Sequence, residues 1–285
     1  MGESPLLGPT GLAHRSRRLS DQETRERMLR AAIAMVNQTG LTVSLDHISF
    51  EEVIRDAGVA RSTAYRHWPY KDLFVSDLVK ELAETAGPTI VRDEVRLMRR
   101  ILARHEDWLA TAQTRHRLLL ELIRQLALLD LQAVHASPGW RTYLALRAAF
   151  SGLADGELRE QVRTALSRAE AAHTAQVARA WQQLAQLFGY RLRPELTTTF
   201  ETLATLLGAT MRGLVITALS SPDVVTHVTR ARPFGAVDED DWSLAAIGIG
   251  SIATTFLEPD PGATFDGQQL AEIHRVLAEW STDDQ

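Results

Sequence analysis

From Thr24 onward apolar residues recur three and four apart, while strict alternation of apolar and polar residues with β-branched enrichment is scarce. A chain so patterned buries its apolar stripes by stacking helix on helix, so an all-α fold is expected. Breaks fall at Gly40, Gly58, Pro69, Gly87-Pro88, Ser137-Pro138-Gly139, Asp155-Gly156, Pro194, Pro222, Pro233 to Gly235 and Pro259 to Gly267. Before Gly87 the helical stretches are short. Beyond it they are long, over 89–111, 114–135, 140–150, 156–188, 195–219, 241–257 and 268–280. The change divides the chain into a flexible basic arm over 1–20, a helical unit over 21–87 and a larger antiparallel helical unit over 88–285. Two domains is an ordinary number for 285 residues.

Composition narrows the function. With no cysteine, the chain can carry no disulfide, thiolate metal site, iron-sulfur cluster or cysteine nucleophile. A net charge of -5 gives no overall basic field, so a nucleic-acid partner would have to be held by a local patch. The start MGESPLLGPTGLAHRSRR lacks a basic opening followed by an apolar run. The most membrane-like run, 244–257, is interrupted by Ser and Thr and is shorter than the ~18 residues a span needs. A cytoplasmic protein with no membrane partner is expected. His105-Glu106 is followed by Leu109 where a zinc-protease motif needs its second His, and the other histidines are scattered. The stretch Gly248 to Ala253 matches G-x-G-x-x-A, but a dinucleotide site needs a preceding strand in a βαβ unit. The acidic run 238–241 reads as a solvated loop favouring the next helix start. No metal, no cofactor and no catalytic constellation is expected, and the chain does not read as an enzyme.

The most informative segment is 49–74, SFEEVIRDAGVARSTAYRHWPYKDLF. Ser49 followed by Glu52 fits a capping box, so a helix should begin there. Gly58 can adopt the positive φ of a sharp turn, with Val59 filling the angle between two helices. Past the turn, Ala64 and Trp68 share one face and Ser62, Tyr65 and Arg66 point the other way, with Arg61 beside them. Two short helices joined by such a turn, the second with a polar basic face, form a helix-turn-helix. From Arg61 to Lys71 there are three positive charges, Arg61, Arg66 and Lys71, and no acidic residue. DNA recognition requires this second helix to face outward with its arginines clear of neighbouring carboxylates. The competing reading is a solvated basic face with Tyr65 half-buried.

These residues resemble the DNA-binding domain of the TetR family of bacterial transcriptional regulators. The resemblance rests on Met28, Leu29, Ala31 and Ala32 running up to Gly40, on Ala57-Gly58-Val59, and on Thr63, Tyr65, His67, Pro69 and Lys71. It departs at Ala60, Ser62, Ala64, Trp68 and Tyr70, where the family favours a cap, Gly or Pro, Leu, Phe and a small polar residue, and the loop from Gly40 to Ser49 is long. The resemblance implies phosphate contacts from Tyr65, His67 and Lys71, and base-edge contacts from Arg61, Ser62, Thr63 and Arg66. Ser49 would offer its free helix-start N–H groups to a phosphate, and Arg15, Arg17 and Arg18 would add a contact from the arm.

The helices over 197–219 and 241–257 are apolar on more than one side. Small residues there, Gly208, Gly213, Ala245, Gly248 and Gly250, would let backbones approach closely. The resemblance implies that they pair with a second copy, and Leu207, Met211, Leu214, Ile249 and Ile252 are the expected dimer contacts. It also implies a small-molecule pocket in the middle helices, for which Trp108, Gln125, Trp140, Tyr143, His173 and Trp181 are candidates. The expected function is a homodimeric, ligand-responsive regulator, a repressor binding a palindromic DNA operator. Alternatives are a DNA-binding dimer without effector and an all-helical enzyme with a remnant helix-turn-helix.

Overall fold

The computed structural model describes residues 20–39, 48–85, 92–150, 155–263, 271–273 and 275–276. The basic arm, the loop over 40–47, the Gly87-Pro88 boundary and most of the helix expected over 268–280 lie outside them.

The first unit comprises α1 (Asp21–Thr39), α2 (Phe50–Ala57), α3 (Arg61–His67) and α4 (Lys71–Thr85). Met28, Leu29, Ala32 and Val36 stand at helical spacing along α1 and are buried, as are Val53 and Ile54 of α2, Ala64 and Trp68 around α3, and Phe74, Leu78 and Leu82 of α4. Three rings form the centre. Phe50 lies 5.0 Å from Phe74 between centroids, and Trp68 lies 5.2 Å from Phe74 and 6.4 Å from Phe50, both edge-on.

The second unit runs α5 (Arg92–Arg104), a 3₁₀ turn (Glu106–Leu109), α6 (Ala112–Ala136), α7 (Pro138–Phe150), α8 (Glu157–Leu187), α9 (Phe200–Ser220), the short α10 (Asp223–Thr226) and α11 (Leu244–Phe256). Local chemistry sets several starts. Thr111 and Thr114 form a reciprocal capping box on α6, Pro138 opens α7 where its missing N–H costs nothing, and Thr199 and Ser243 cap α9 and α11. Helices α6, α9 and α11 pack on one another, and α8 packs on both α9 and α4. A Cβ on Gly248 would sit 2.8 Å from Thr210 Cγ2, and one on Gly250 would sit 2.6 Å from Phe234 Cε2. These glycines serve close packing inside one protomer, in the middle of α11, so the G-x-G-x-x-A match is no phosphate loop.

Some expectations need correction. The fold is all-α, and among the described residues four short strands accompany the helices: β1 (Tyr190–Leu192) pairs antiparallel with β4 (Leu257–Pro259), and β2 (Val228–Ala231) with β3 (Asp240–Ser243). Three or four residues hold too few alternations to show a period. Strand β3 also takes the beginning of the helix expected from 241, so α11 starts at Leu244. The acidic run is tied down, since Asp238 pairs with Arg117 while Glu239 and Asp241 pair with Arg230. Among the described residues, the helix both long and apolar enough to match a bilayer span is α9, and the one at 244–256 is shorter than a span needs.

The second unit rests on the first through α7 and α8. Helix α7 packs on α1 and α4, and the Thr142 hydroxyl donates to the Asn37 side-chain oxygen at 2.7 Å. Near the start of α5, Glu94 meets Asp130 of α6 through a carboxyl-carboxyl hydrogen bond. Burial, with the Asp130 charge added, pushes the Glu94 carboxyl up to about 8, and burial raises Asp130 as well. Folded-state values above the unfolded ones mean that the native protein holds protons that the unfolded chain has released. Stability is therefore fullest below about pH 4.5 from this pair and falls as pH rises to about 8. The melting temperature should drop by several degrees between those limits, a change on the order of a few kcal/mol. Asp130→Asn should flatten the drop; an unaltered slope in that variant would remove the pair as its source.

Candidate nucleic-acid interface

Helix α2 begins at Ser49, whose hydroxyl accepts from the Glu52 N–H at 3.4 Å. It ends at Gly58 with φ 62°, a left-handed conformation that closes the turn by donating to Arg55 and Ile54 carbonyls. Val59 is buried in the angle, and α3 follows from Ala60, which supplies no side-chain cap. The brace behind α3 is Trp68, 1% exposed, with its indole N–H donating to Asp77 Oδ2 at 3.1 Å.

On the outer side, Arg61, Ser62, Tyr65 and Arg66 are exposed, Thr63, His67 and Lys71 are partly buried, and Ser49 is partly buried at its cap. Helix α3 faces outward as expected, but the requirement that its arginines stand clear of carboxylates is not met. Arg61 pairs with Glu51 at 2.8 Å and Arg66 with Asp21 at 3.2 Å, while the Tyr65 hydroxyl donates to the same Glu51 carboxylate at 2.7 Å. Glu51 comes from the first turn of α2 and Asp21 from the start of α1, so no spacing within α3 reveals them. The described part of this unit carries slightly more acidic than basic residues, which weakens the charge reversal read along 61–71.

Magnitudes decide what these pairs mean. The side chain of Arg61 is 70% exposed and that of Arg66 56%, and ion pairs in such settings are worth about 0–1 kcal/mol. A bidentate guanine contact is worth about 1–3 kcal/mol. A contact of that size would outweigh either ion pair, so the carboxylates would compete with such a contact rather than block it. Tyr65 is held edge-on to Phe50 at 5.3 Å with Arg61 over its ring at 5.5 Å, and His67 lies edge-on to Trp68 at 4.3 Å. A packed ring with its hydroxyl at the rim suits a phosphate contact that fixes register.

The six candidates for a small-molecule site do not line one cavity. Trp140, Tyr143 and His173 come together, with Trp140 5.5 Å from Tyr143 and 6.3 Å from His173. Trp181 is partly buried further along α8, Trp108 is sandwiched by His105 at 3.9 Å and the Arg117 guanidinium at 4.3 Å, and Gln125 bonds Glu121. Tyr143 and His173 meet a hub missed in sequence. Glu170 of α8 accepts from Tyr143 at 2.8 Å and pairs with Arg147 of α7 at 2.9 Å and Arg212 of α9 at 3.0 Å. Burial and the Arg212 charge outweigh Glu170 and hold His173 below the usual imidazole range, and its Nδ1 is buried with no hydrogen-bond partner among the described residues. Tyr143 and Arg147 one turn apart, with Glu170 and His173 likewise, are the signals that could have found this hub.

Among the expected dimer contacts, Leu207, Met211 and Ile249 are buried inside the protomer, and Leu214 and Ile252 are partly buried. Another side of α9 is open, with Leu206, Ile216 and Leu219 exposed and Gly213 bordered by open space. No group of three or more metal-binding side chains is found among the described residues.

An outward basic helix set on a glycine turn and braced by an indole defines a helix-turn-helix unit. The sequence matches no protein-family model and no characterised protein. One similar solved structure is full-length native TylP, a TetR regulator from Streptomyces fradiae, 15% identical, with 91% of this chain and 92% of that chain covered at a TM-score of 0.39. That likeness is too slight to bring any residue's role across.

Proposed function

We propose that this chain is a DNA-binding transcriptional regulator, a repressor that binds a palindromic operator as a homodimer and releases it when a small molecule enters the second unit. The observation that carries the reading is the outward α3; on it Arg61, Ser62, Thr63 and Arg66 would meet base edges, and Tyr65, His67, Lys71 and the Ser49 helix start would meet phosphates. Dimerisation is supported by the apolar outer face of α9, since one short helix reads too few base pairs and two-fold pairing doubles the contact. The dispersal of the aromatic candidates favours a second reading, a DNA-binding dimer without an effector.

The test is a binding titration on the DNA upstream of the chain's own gene across a salt series. Saturable binding below about 1 µM near physiological salt is expected for specific recognition, and its absence would reject the reading. Arg66→Ala should lose about 1 to 3 kcal/mol on the true site alone, whereas Lys71→Ala should weaken all duplexes alike. Glu51→Gln should act in the opposite direction. Releasing Arg61 and Tyr65 from a carboxylate worth under about 1 kcal/mol should tighten binding by about two- to fivefold. Weaker binding in that variant would mean that Glu51 positions the helix rather than competing for it.

A further inference from the structure

Between α4 and α8 lies a shallow, solvent-open cleft of about 280 Å³ lined by Lys80, Glu160, Gln161, Thr164, Ala165 and Arg168. Its volume is near the lower end for small-molecule sites, and its walls are largely aliphatic with two cations at hand. The Glu160 carboxylate is occupied by Arg163, one helical turn along. Lys80 is partly buried and pairs with Asp77 at 3.3 Å through Oδ1. The other oxygen of Asp77 accepts the indole N–H of Trp68, the brace behind α3. The cleft is thus joined to the outward helix by two contacts, Lys80 to Asp77 within α4 and Asp77 to Trp68 at the end of α3.

We infer that the α4–α8 cleft is an effector site for an organic carboxylate with an apolar body, held by Lys80 and Arg168. The inference rests on the DNA-binding reading for its consequence, though not for the binding itself. A ligand carboxylate competes with Asp77 for the Lys80 ammonium. Its apolar body lies against Ala165, the Thr164 methyl and the stems of Lys80 and Arg168, where a hydrated inorganic anion gains nothing. Once Lys80 turns to the ligand, Asp77 loses its counter-charge and the bond that seats Trp68 is altered. The ligand must favour this arrangement over the free one, because equal affinity for both shifts no equilibrium.

The experiment uses the full chain and a panel of benzoate, phthalate and octanoate, with dimethyl phthalate and inorganic phosphate alongside. Calorimetry measures binding, and the Trp68 indole N–H resonance, assigned by its loss in Trp68→Phe, reports on Asp77. At least one carboxylate should bind saturably with a dissociation constant below about 10 mM and shift that resonance, while the neutral ester and phosphate do neither. Lys80→Met and Arg168→Met should each weaken binding by tenfold or more. Arg168 is exposed, so its variant tests the site without disturbing the fold. Absence of binding by every carboxylate, or equal binding in both variants, would overturn the site. Binding with no indole shift and no change in duplex affinity would overturn the regulatory role. Failure to bind any duplex would reject the DNA reading, and calorimetry would still decide the cleft.

Discussion

Trp68→Ala should lower the stability of the N-terminal unit by about 3 to 5 kcal/mol, the range for deleting a large buried aromatic side chain, and abolish specific duplex binding. Trp68 is 1% exposed, touches Phe50 and Phe74 edge-on and donates to Asp77. Alanine would leave a cavity under α3, which has seven residues and no side-chain cap of its own. A helix that short is held by packing, since isolated helices below about 12 residues are marginal in water. Trp68→Phe separates the two contributions. It keeps most of the ring contact and loses the hydrogen bond, at a cost of about 0.5 to 1.5 kcal/mol. Urea unfolding followed by duplex titration reads both effects. Near-native stability in Trp68→Ala would show that α3 is seated by something other than the indole.

The elements legible from sequence were those marked by strong local chemistry. Ser49, Gly58 and the Ala64 and Trp68 spacing located α2 and α3, and Pro69 placed the start of α4 within two residues. What stayed hidden depends on tertiary approach. Glu51 and Asp21 reach Arg61 and Arg66 from other helices, and Glu170 collects partners from α7 and α9. The strands are too short for a period to register. Helix α9 fails for a different reason, because a helix apolar on several sides does not announce which side is inward. Leu206 and Leu207 are adjacent and about 100° apart around the axis, and only packing tells that Leu207 is core and Leu206 is exposed.

That choice of face is what the second large effect tests. Ile216→Glu with Leu219→Glu should convert a dimeric protein to monomer with little loss of monomer stability, because both side chains are exposed in the protomer. In a two-fold interface each substitution is made twice, so four apolar side chains are lost and four charges gained. Taking about 1.5 kcal/mol for each apolar side chain gives about 6 kcal/mol before any charge is counted, or about four orders of magnitude in the dissociation constant. Leu207→Ala supplies the contrast. It should lower the melting temperature through a cavity costing about 2 to 5 kcal/mol and leave the intact fraction dimeric. Sedimentation across a concentration series distinguishes them. A wild-type chain that sediments as a monomer would remove the dimer from the reading. A dimer that survives both glutamates would place its interface on a face other than that of α9. With a monomer in hand, duplex affinity becomes informative, because a chain reading one half-site should lose the tight binding that two recognition helices about 34 to 36 Å apart would share.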